Sequence, residues 1–156
     1  MKTLILYASH YGATHEIARR IQSHMDDSAL HDLKQGGAPS IAEYDCVIIG
    51  SPLYAGLIQK EVKAFVIKNA EGLRGKSIGL LLSGFEAENE QEYFEKNFPK
   101  DILDSAKAKC FTGGIYDPAK AGLLHKLMLK AAGKQMPYTD TIDNEKIKQF
   151  AEVMRG

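Results

Sequence analysis

A chain of 156 residues, 44% hydrophobic and 26% charged, is long enough to bury one sizeable core and is expected to form a single domain over residues 1–156. Its 20 basic and 20 acidic residues give a formal net charge of zero, which argues against a nucleic-acid binder. No apolar run approaches the ~20 residues needed to cross a bilayer, and strand pattern begins at once with no signal-peptide character, so a cytoplasmic protein is expected.

Thr3–Ala8 is a short apolar run and reads as a buried strand. A polar loop follows, and from about Thr14 to Met25 the apolar residues Ile17, Ala18, Ile21 and Met25 mark one face of a helix. Ala29–Leu33 reads as a short second strand. In Lys34–Ser40, Gly36, Gly37 and Pro39 oppose regular structure, which leaves room for at most one turn around Ile41–Tyr44 instead of a full helix. Cys46–Gly50 is continuously apolar and β-branched, the pattern of a central strand. After the loop Ser51–Gly56, Val62, Phe65 and Val66 define a helix face. Ser77–Leu82 is another buried strand, Gln91–Phe98 a helix ending near Pro99, and Lys109–Ile115 a fifth strand in which Gly113-Gly114 signals a bend or a close approach. Two helices close the chain, the first carrying Leu123, Leu124, Leu127, Met128 and Ala131, the second Ile147, Phe150, Ala151 and Met154. The order is that of an α/β layer fold with a parallel sheet.

Cys46 and Cys110 sit in or beside apolar strand runs and read as reduced core thiols; no Cys/His spacing points to zinc. Charge is unevenly spread: Pro118 through Thr139 contains no Asp or Glu but holds Lys120, Lys126, Lys130 and Lys134. His24 and His31 read as surface or edge residues, and His125 lies on the first of the two closing helices.

Open parallel sheets bind ligands beyond the carboxyl ends of their strands, where the strand order reverses. In a 2-1-3-4-5 sheet three loops would line that crevice. The first, Ser9, His10, Tyr11, Gly12, Ala13 and Thr14, joins a strand to a helix N-terminus, whose unpartnered amides and dipole favour an anion. Gly12 allows close backbone approach, while Ser9 and Thr14 offer hydroxyls. Taken alone, this loop fits equally an ordinary strand–helix turn with Thr14 as N-cap. The second loop, Ser51, Pro52, Leu53, Tyr54, Ala55 and Gly56, offers an aromatic ring between small residues. The third, Ser83, Gly84, Phe85 and Glu86, offers a second ring and exposed backbone. A phosphate cradle beside an aromatic-lined slot points to a nucleotide with a flat ring.

Ser9–Thr14, Tyr44–Tyr54 and Ser83–Glu88, in this order and at these distances, resemble the flavodoxin family over nearly the whole chain. The resemblance implies a three-layer sandwich around a five-stranded parallel sheet of order 2-1-3-4-5, with the helix between strands 2 and 3 reduced and an extra helix inserted after strand 5. It implies FMN as cofactor, its phosphate on the first loop and its ring between the second and third, with the backbone of Ala55–Gly56 near the reactive nitrogen. His10, His15 and Glu86 are candidates to tune it. Tyr11 departs from the usual hydroxyl residue, and the first loop contains no Lys or Arg, in keeping with a phosphate held by amides and hydroxyls.

Met1–Leu6, Ile49-Gly50 with Gly56, Gly114–Pro118, Leu124–Lys130 and Tyr138–Asp140 further resemble the menaquinone-dependent protoporphyrinogen dehydrogenase branch. That resemblance implies an FMN oxidoreductase passing electrons from a porphyrinogen to a quinone. The alternatives are a flavodoxin-type electron carrier, whose usual acidity the neutral chain lacks, and a domain that binds no flavin. Within the 119–134 insertion, the lysines could meet anionic lipid or porphyrin propionates, giving at most peripheral membrane contact. The preferred reading is that this helix packs its apolar face on the sheet.

Overall fold

The computed structural model describes residues 1–85, 88–133 and 136–156, with side chains at all of these except 124 and 125. Strands β1 (Thr3–Tyr7), β2 (Ser28–Asp32), β3 (Cys46–Pro52), β4 (Ser77–Ser83) and β5 (Ala106–Phe111) form a sheet in the order β2-β1-β3-β4-β5, as expected from the sequence. All four pairings are parallel. The helices are α1 (Ala13–Gln22), α2 (Lys60–Leu73), α3 (Glu90–Asn97), α4 (Lys100–Ser105), α5 (Leu123–Ala131) and α6 (Asn144–Arg155).

The central strands are apolar throughout because helices cover both faces of the sheet. Period-two alternation divides β1 between the two cores. Leu4 and Leu6 join Val62, Phe65, Phe94 and Ile102 on the side of α2, α3 and α4. Ile5 and Tyr7 join Ile17, Ile21, Ile147, Phe150 and Met154 on the side of α1 and α6. Gly79 on β4 makes room for α6, since a Cβ there would lie 2.6 Å from Phe150 Cζ. Both cysteines are free and buried. Burial raises both thiol pKa values, that of Cys110 to about 11, so neither is a ready nucleophile.

Between β2 and β3 the described chain makes only single 3-10 turns, Leu33–Gln35 and Ile41–Glu43. The first begins at Leu33, expected as the end of the second strand, and runs into the stretch read as irregular; the Asp32 carboxylate accepts the Lys34 N–H at 3.0 Å and holds the turn despite the nearby glycines. β3 runs two residues further than its apolar pattern: Ser51 and Pro52 still pair with Leu82 and Ser83. Pro52 closes the strand and lacks a donor, and the next N–H, of Leu53, bonds Ser83 O at 2.9 Å. α4 left no periodic signal because it is only 6 residues long.

The fifth strand differs most from its expected span of Lys109–Ile115. It begins at Ala106, where exposed Lys107 and Lys109 alternate with the inward residues of an edge strand, and it ends at Phe111. The chain then leaves the sheet at Gly113, whose φ is +82°. β6 (Ile115–Tyr116) pairs antiparallel with β7 (Thr139–Asp140), and this ribbon brackets the inserted segment. The departure is locked by Thr141: its N–H donates to Gly114 O at 2.9 Å, while its hydroxyl accepts the Gly114 N–H at 3.1 Å. Arg20 of α1 ties the ribbon down through Asp140 at 3.4 Å and Asn144 Oδ1 at 3.0 Å.

The helix of the insertion does not pack its apolar face on the sheet. Leu123, Leu127 and Met128 are 74%, 53% and 66% exposed, and Lys126 and Lys130 are exposed beside them. The two-residue strands of the ribbon hold α5 away from both cores, which α2, α3, α4, α1 and α6 have already covered.

Gly113→Ala is expected to be costly, because the added Cβ would lie 2.1 Å from Thr141 O at a left-handed φ. We expect a loss of at least ~2 kcal/mol in urea unfolding. Gly75→Ala has the same φ of +82° with nothing within 4 Å and should lose only ~1 kcal/mol; equal losses would mean that the Thr141 contact is unimportant.

Candidate functional site

Parallel register brings Tyr7 opposite Gly50 and Gly50 opposite Leu81, so β1, β3 and β4 end at one edge of the sheet. Residues 9–14, 53–57 and 84–85 follow these ends and converge on a cavity of about 320 Å³, within the ~300–1,000 Å³ usual for small-molecule sites.

Gly12, with φ +92°, is the N-cap of α1, so Thr14 is not the cap. A side chain would strain this conformation. Ser9 Oγ accepts the Gly12 N–H at 3.0 Å and folds the loop back on itself. The first helical bond runs from Glu16 N–H to Gly12 O at 3.0 Å. The amides of Ala13, Thr14 and His15 therefore precede the helical ladder and carry the positive end of its dipole. Thr14 is 3% exposed, and its Oγ1 lies 3.1 Å from Ser83 Oγ, which is equally buried. Two hydroxyls sharing one hydrogen bond leave one O–H proton uncommitted between them, and both residues line the cavity.

Aromatic rings make the next wall. Tyr11 and Tyr54 meet edge-on with centroids 6.2 Å apart, and His10 touches both at 4.4 and 6.0 Å. Burial, aided by Tyr11, pushes the Tyr54 phenol up to about 12, so it is neutral at ordinary pH. His10 Nδ1 lies 3.0 Å from Lys34 Nζ; since an ammonium only donates, Nδ1 accepts. His15 turns from the cavity, with Nδ1 2.6 Å from Tyr7 OH. Ala55 at φ 50° and Gly56 at φ 72° form a two-residue turn closed by reciprocal bonds of 3.0 Å between Tyr54 and Leu57.

Ser9, His10, Tyr11, Ala13, Thr14, Pro52, Leu53, Tyr54, Ala55, Ser83, Gly84 and Phe85 all line the cavity. Gly12 lies behind the loop, facing an adjoining cavity. Ser51 points away from it: its buried hydroxyl donates to Pro52 O and accepts the Gln59 N–H, both at 2.9 Å, and so starts α2. Gly56 faces α3, with its carbonyl accepting from Asn97 Nδ2 at 2.9 Å. Glu86 lies outside the described residues.

A fourth wall, absent from the sequence expectation, comes from Gly114, Ile115, Tyr116 and Asp117, with Ala121, Leu129 and Met136 above. The paired glycines were its one signal. Gly84 N–H bonds Gly113 O at 3.0 Å, and a Cβ on Gly114 would lie 3.4 Å from Gly84 backbone, so only small residues let the third and fourth walls meet. Among the described residues no group of His, Cys, Asp and Glu is placed to hold a metal ion.

The chain belongs to the flavodoxin domain family, whose model matches residues 4–143. Among solved structures it is similar to a flavodoxin of Streptococcus pneumonia TIGR4, with 20% identity over 99% of this chain and 98% of that one and a TM-score of 0.66. It is similar also to two-electron reduced Megasphaera elsdenii flavodoxin, with 18% identity over 97% of each chain and a TM-score of 0.63. Fusobacterium nucleatum flavodoxin bound to flavin mononucleotide matches at 18% identity over 99% and 98%, with a TM-score of 0.60. No curated protein matches the sequence. At such identities the structural likeness speaks for the fold.

The shared hydroxyl bond makes a stability prediction. Thr14→Val should strand Ser83 Oγ and cost ~1–2 kcal/mol. The double variant Thr14→Val/Ser83→Ala should cost less than the sum of the single losses in urea unfolding; additive losses would mean the two hydroxyls are uncoupled.

Proposed function

We propose that this flavodoxin-family chain is an FMN-binding redox protein, and that it works as an oxidoreductase of the protoporphyrinogen dehydrogenase kind with a quinone as acceptor. In the 2-1-3-4-5 order the reversal between β1 and β3 is itself the standing example of FMN placement. The donor set of this chain fits that cofactor. Three unladdered amides, the Ser9 hydroxyl and the spare proton of the Thr14–Ser83 pair suit a phosphate. Leu53, Tyr54 and Phe85 suit the faces of a flat ring, and Phe85, 49% exposed, stands at the mouth.

FMN supplies electron acceptance and release, so the leading mechanism asks no acid or base of the protein. The chain's residues bind and orient. The first loop anchors the phosphate, and the neutral phenol of Tyr54 keeps charge away from the ring. The turn at Ala55 and Gly56 offers backbone at the cavity's edge, and Leu129 and Met136 exclude water from above.

The observation that carries the enzyme reading is the outward face of α5. Exposed Leu123, Leu127 and Met128 stand beside Lys126 and Lys130 on an element that also roofs the cavity. Apolar surface rimmed by cations suits a large aromatic anion or a quinone reached at an anionic bilayer surface. Among the described residues no helix is long and apolar enough to cross a membrane, so such contact would be peripheral.

An anaerobic assay of FMN-loaded protein with protoporphyrinogen and a menaquinone analogue tests this reading beside a reductase-to-cytochrome assay. We expect porphyrinogen oxidation coupled to quinol formation, and weaker oxidation in Leu127→Asp/Met128→Asp with FMN still bound. Activity in the cytochrome assay alone would make the protein an electron carrier. For the ring site, Tyr54→Ala should shift the flavin absorption bands and weaken FMN binding about tenfold; an unchanged spectrum would place the ring elsewhere.

A further inference from the structure

The loop at the head of α1 has no basic residue of its own, yet a cation reaches it from the insertion. Lys120 Nζ lies 3.8 Å from the point where a Cβ on Gly12 would sit. Residues 117–121 are shaped to bring it there. Asp117 O accepts the N–H groups of Lys120 and Ala121 at 3.0 and 2.9 Å, and Asp117 Oδ1 accepts the Ala119 N–H at 2.9 Å. Lys120, an exposed residue, lines a cavity of about 360 Å³ that adjoins the larger one and shares Tyr11, Ala13, Ile115 and Asp117 with it.

The nearest acid in sequence, Asp117, lines the same cavity and spends Oδ1 on the Ala119 N–H without pairing with Lys120. Among the described residues Lys120 has no ion pair. Glu16, the nearest acid on α1, is engaged by Arg20 at 3.0 Å and Arg19 at 3.3 Å, and Asp140 is engaged by Arg20. The Arg20 hydrogen bond, with that of Arg19, holds the Glu16 carboxyl below its usual pKa, so it stays ionised and committed. An ammonium beside a helix N-terminus has the wrong sign for the dipole, a mismatch that an anion between them would relieve. The buried Thr14 and Ser83 hydroxyls, with one proton to spare, line the larger cavity, which meets that of Lys120 at Tyr11, Ala13, Ile115 and Asp117.

We propose that Lys120 supplies the countercharge for the phosphate of the bound flavin nucleotide. This inference rests on the FMN reading and changes one part of it: the phosphate site is not made of amides and hydroxyls alone, but is completed by a cation from the inserted segment. Lys120 thereby selects the phosphorylated flavin over the free one, and it couples the insertion to cofactor occupancy.

The test is fluorescence titration of the full-length apoprotein with FMN and with riboflavin, at low and high salt, for the wild type, Lys120→Gln and Lys120→Arg. Lys120→Gln should weaken FMN about tenfold at low salt and flatten its salt dependence, since one charge-assisted contact is lost. Riboflavin affinity should not move, and Lys120→Arg should keep most of the FMN affinity. Unchanged FMN affinity in Lys120→Gln, or equal weakening of FMN and riboflavin, would overturn the proposal. If the wild type binds FMN no more tightly than riboflavin, the phosphate-loop reading fails, and the role of Lys120 falls with it.

Discussion

Backbone hydrogen bonding between three parallel strands sets everything at the site. With Tyr7 opposite Gly50, Gly50 opposite Leu81 and Pro52 opposite Ser83, the strands finish within a residue or two of one another. Their loops must then share one edge of the sheet. Because β1 leads outward to β2 while β3 leads to β4, the two following helices leave on opposite faces and open a crevice between them. The Thr14–Ser83 bond spans that crevice, joining the head of α1 to the end of β4. A slip of one residue in any of these pairings would exchange the two faces of a strand and separate the hydroxyls.

The inserted segment is the chain's second organising feature. The close approach of Gly113 to Thr141 turns the chain out of the sheet, the β6–β7 ribbon carries it away, and Arg20 fastens the ribbon to α1. The segment so held has two aspects. Toward the interior it gives the cavity Ala121, Leu129 and Met136, while outward it shows Leu123, Leu127 and Met128 to solvent. An amphipathic helix normally hides its apolar face against its own domain. Here both faces of the sheet are already covered, so the outer surface of α5 is left for something else.

The sequence carried the strands and the core well, because continuous aliphatic runs and 3.6-residue spacing report directly on burial, and the strand order came with the resemblance to flavodoxins. It also carried the loops, through the small and hydroxyl residues that follow each strand. It misplaced β5, since an edge strand with alternating lysines lacks the run that marks a central one, and Gly113-Gly114 then joined two elements in a single apolar stretch. Ser51 and Gly56 occupy the expected loop but serve the start of α2 and the contact with α3. Adjacency in sequence fixed their neighbourhood and said nothing of the direction in which each group bonds.

By itself the sequence determined the strands, the helices and the three loops after the strands, since each follows from local periodicity and composition, whereas the sheet order that makes the loops converge came with the resemblance to flavodoxins. Only the tertiary structure decided that a fourth wall closes the cavity, that α5 faces outward and that Lys120 stands over Gly12. Those depend on how a long insertion folds back across the molecule, and no local pattern of residues encodes contacts made across about a hundred positions of chain.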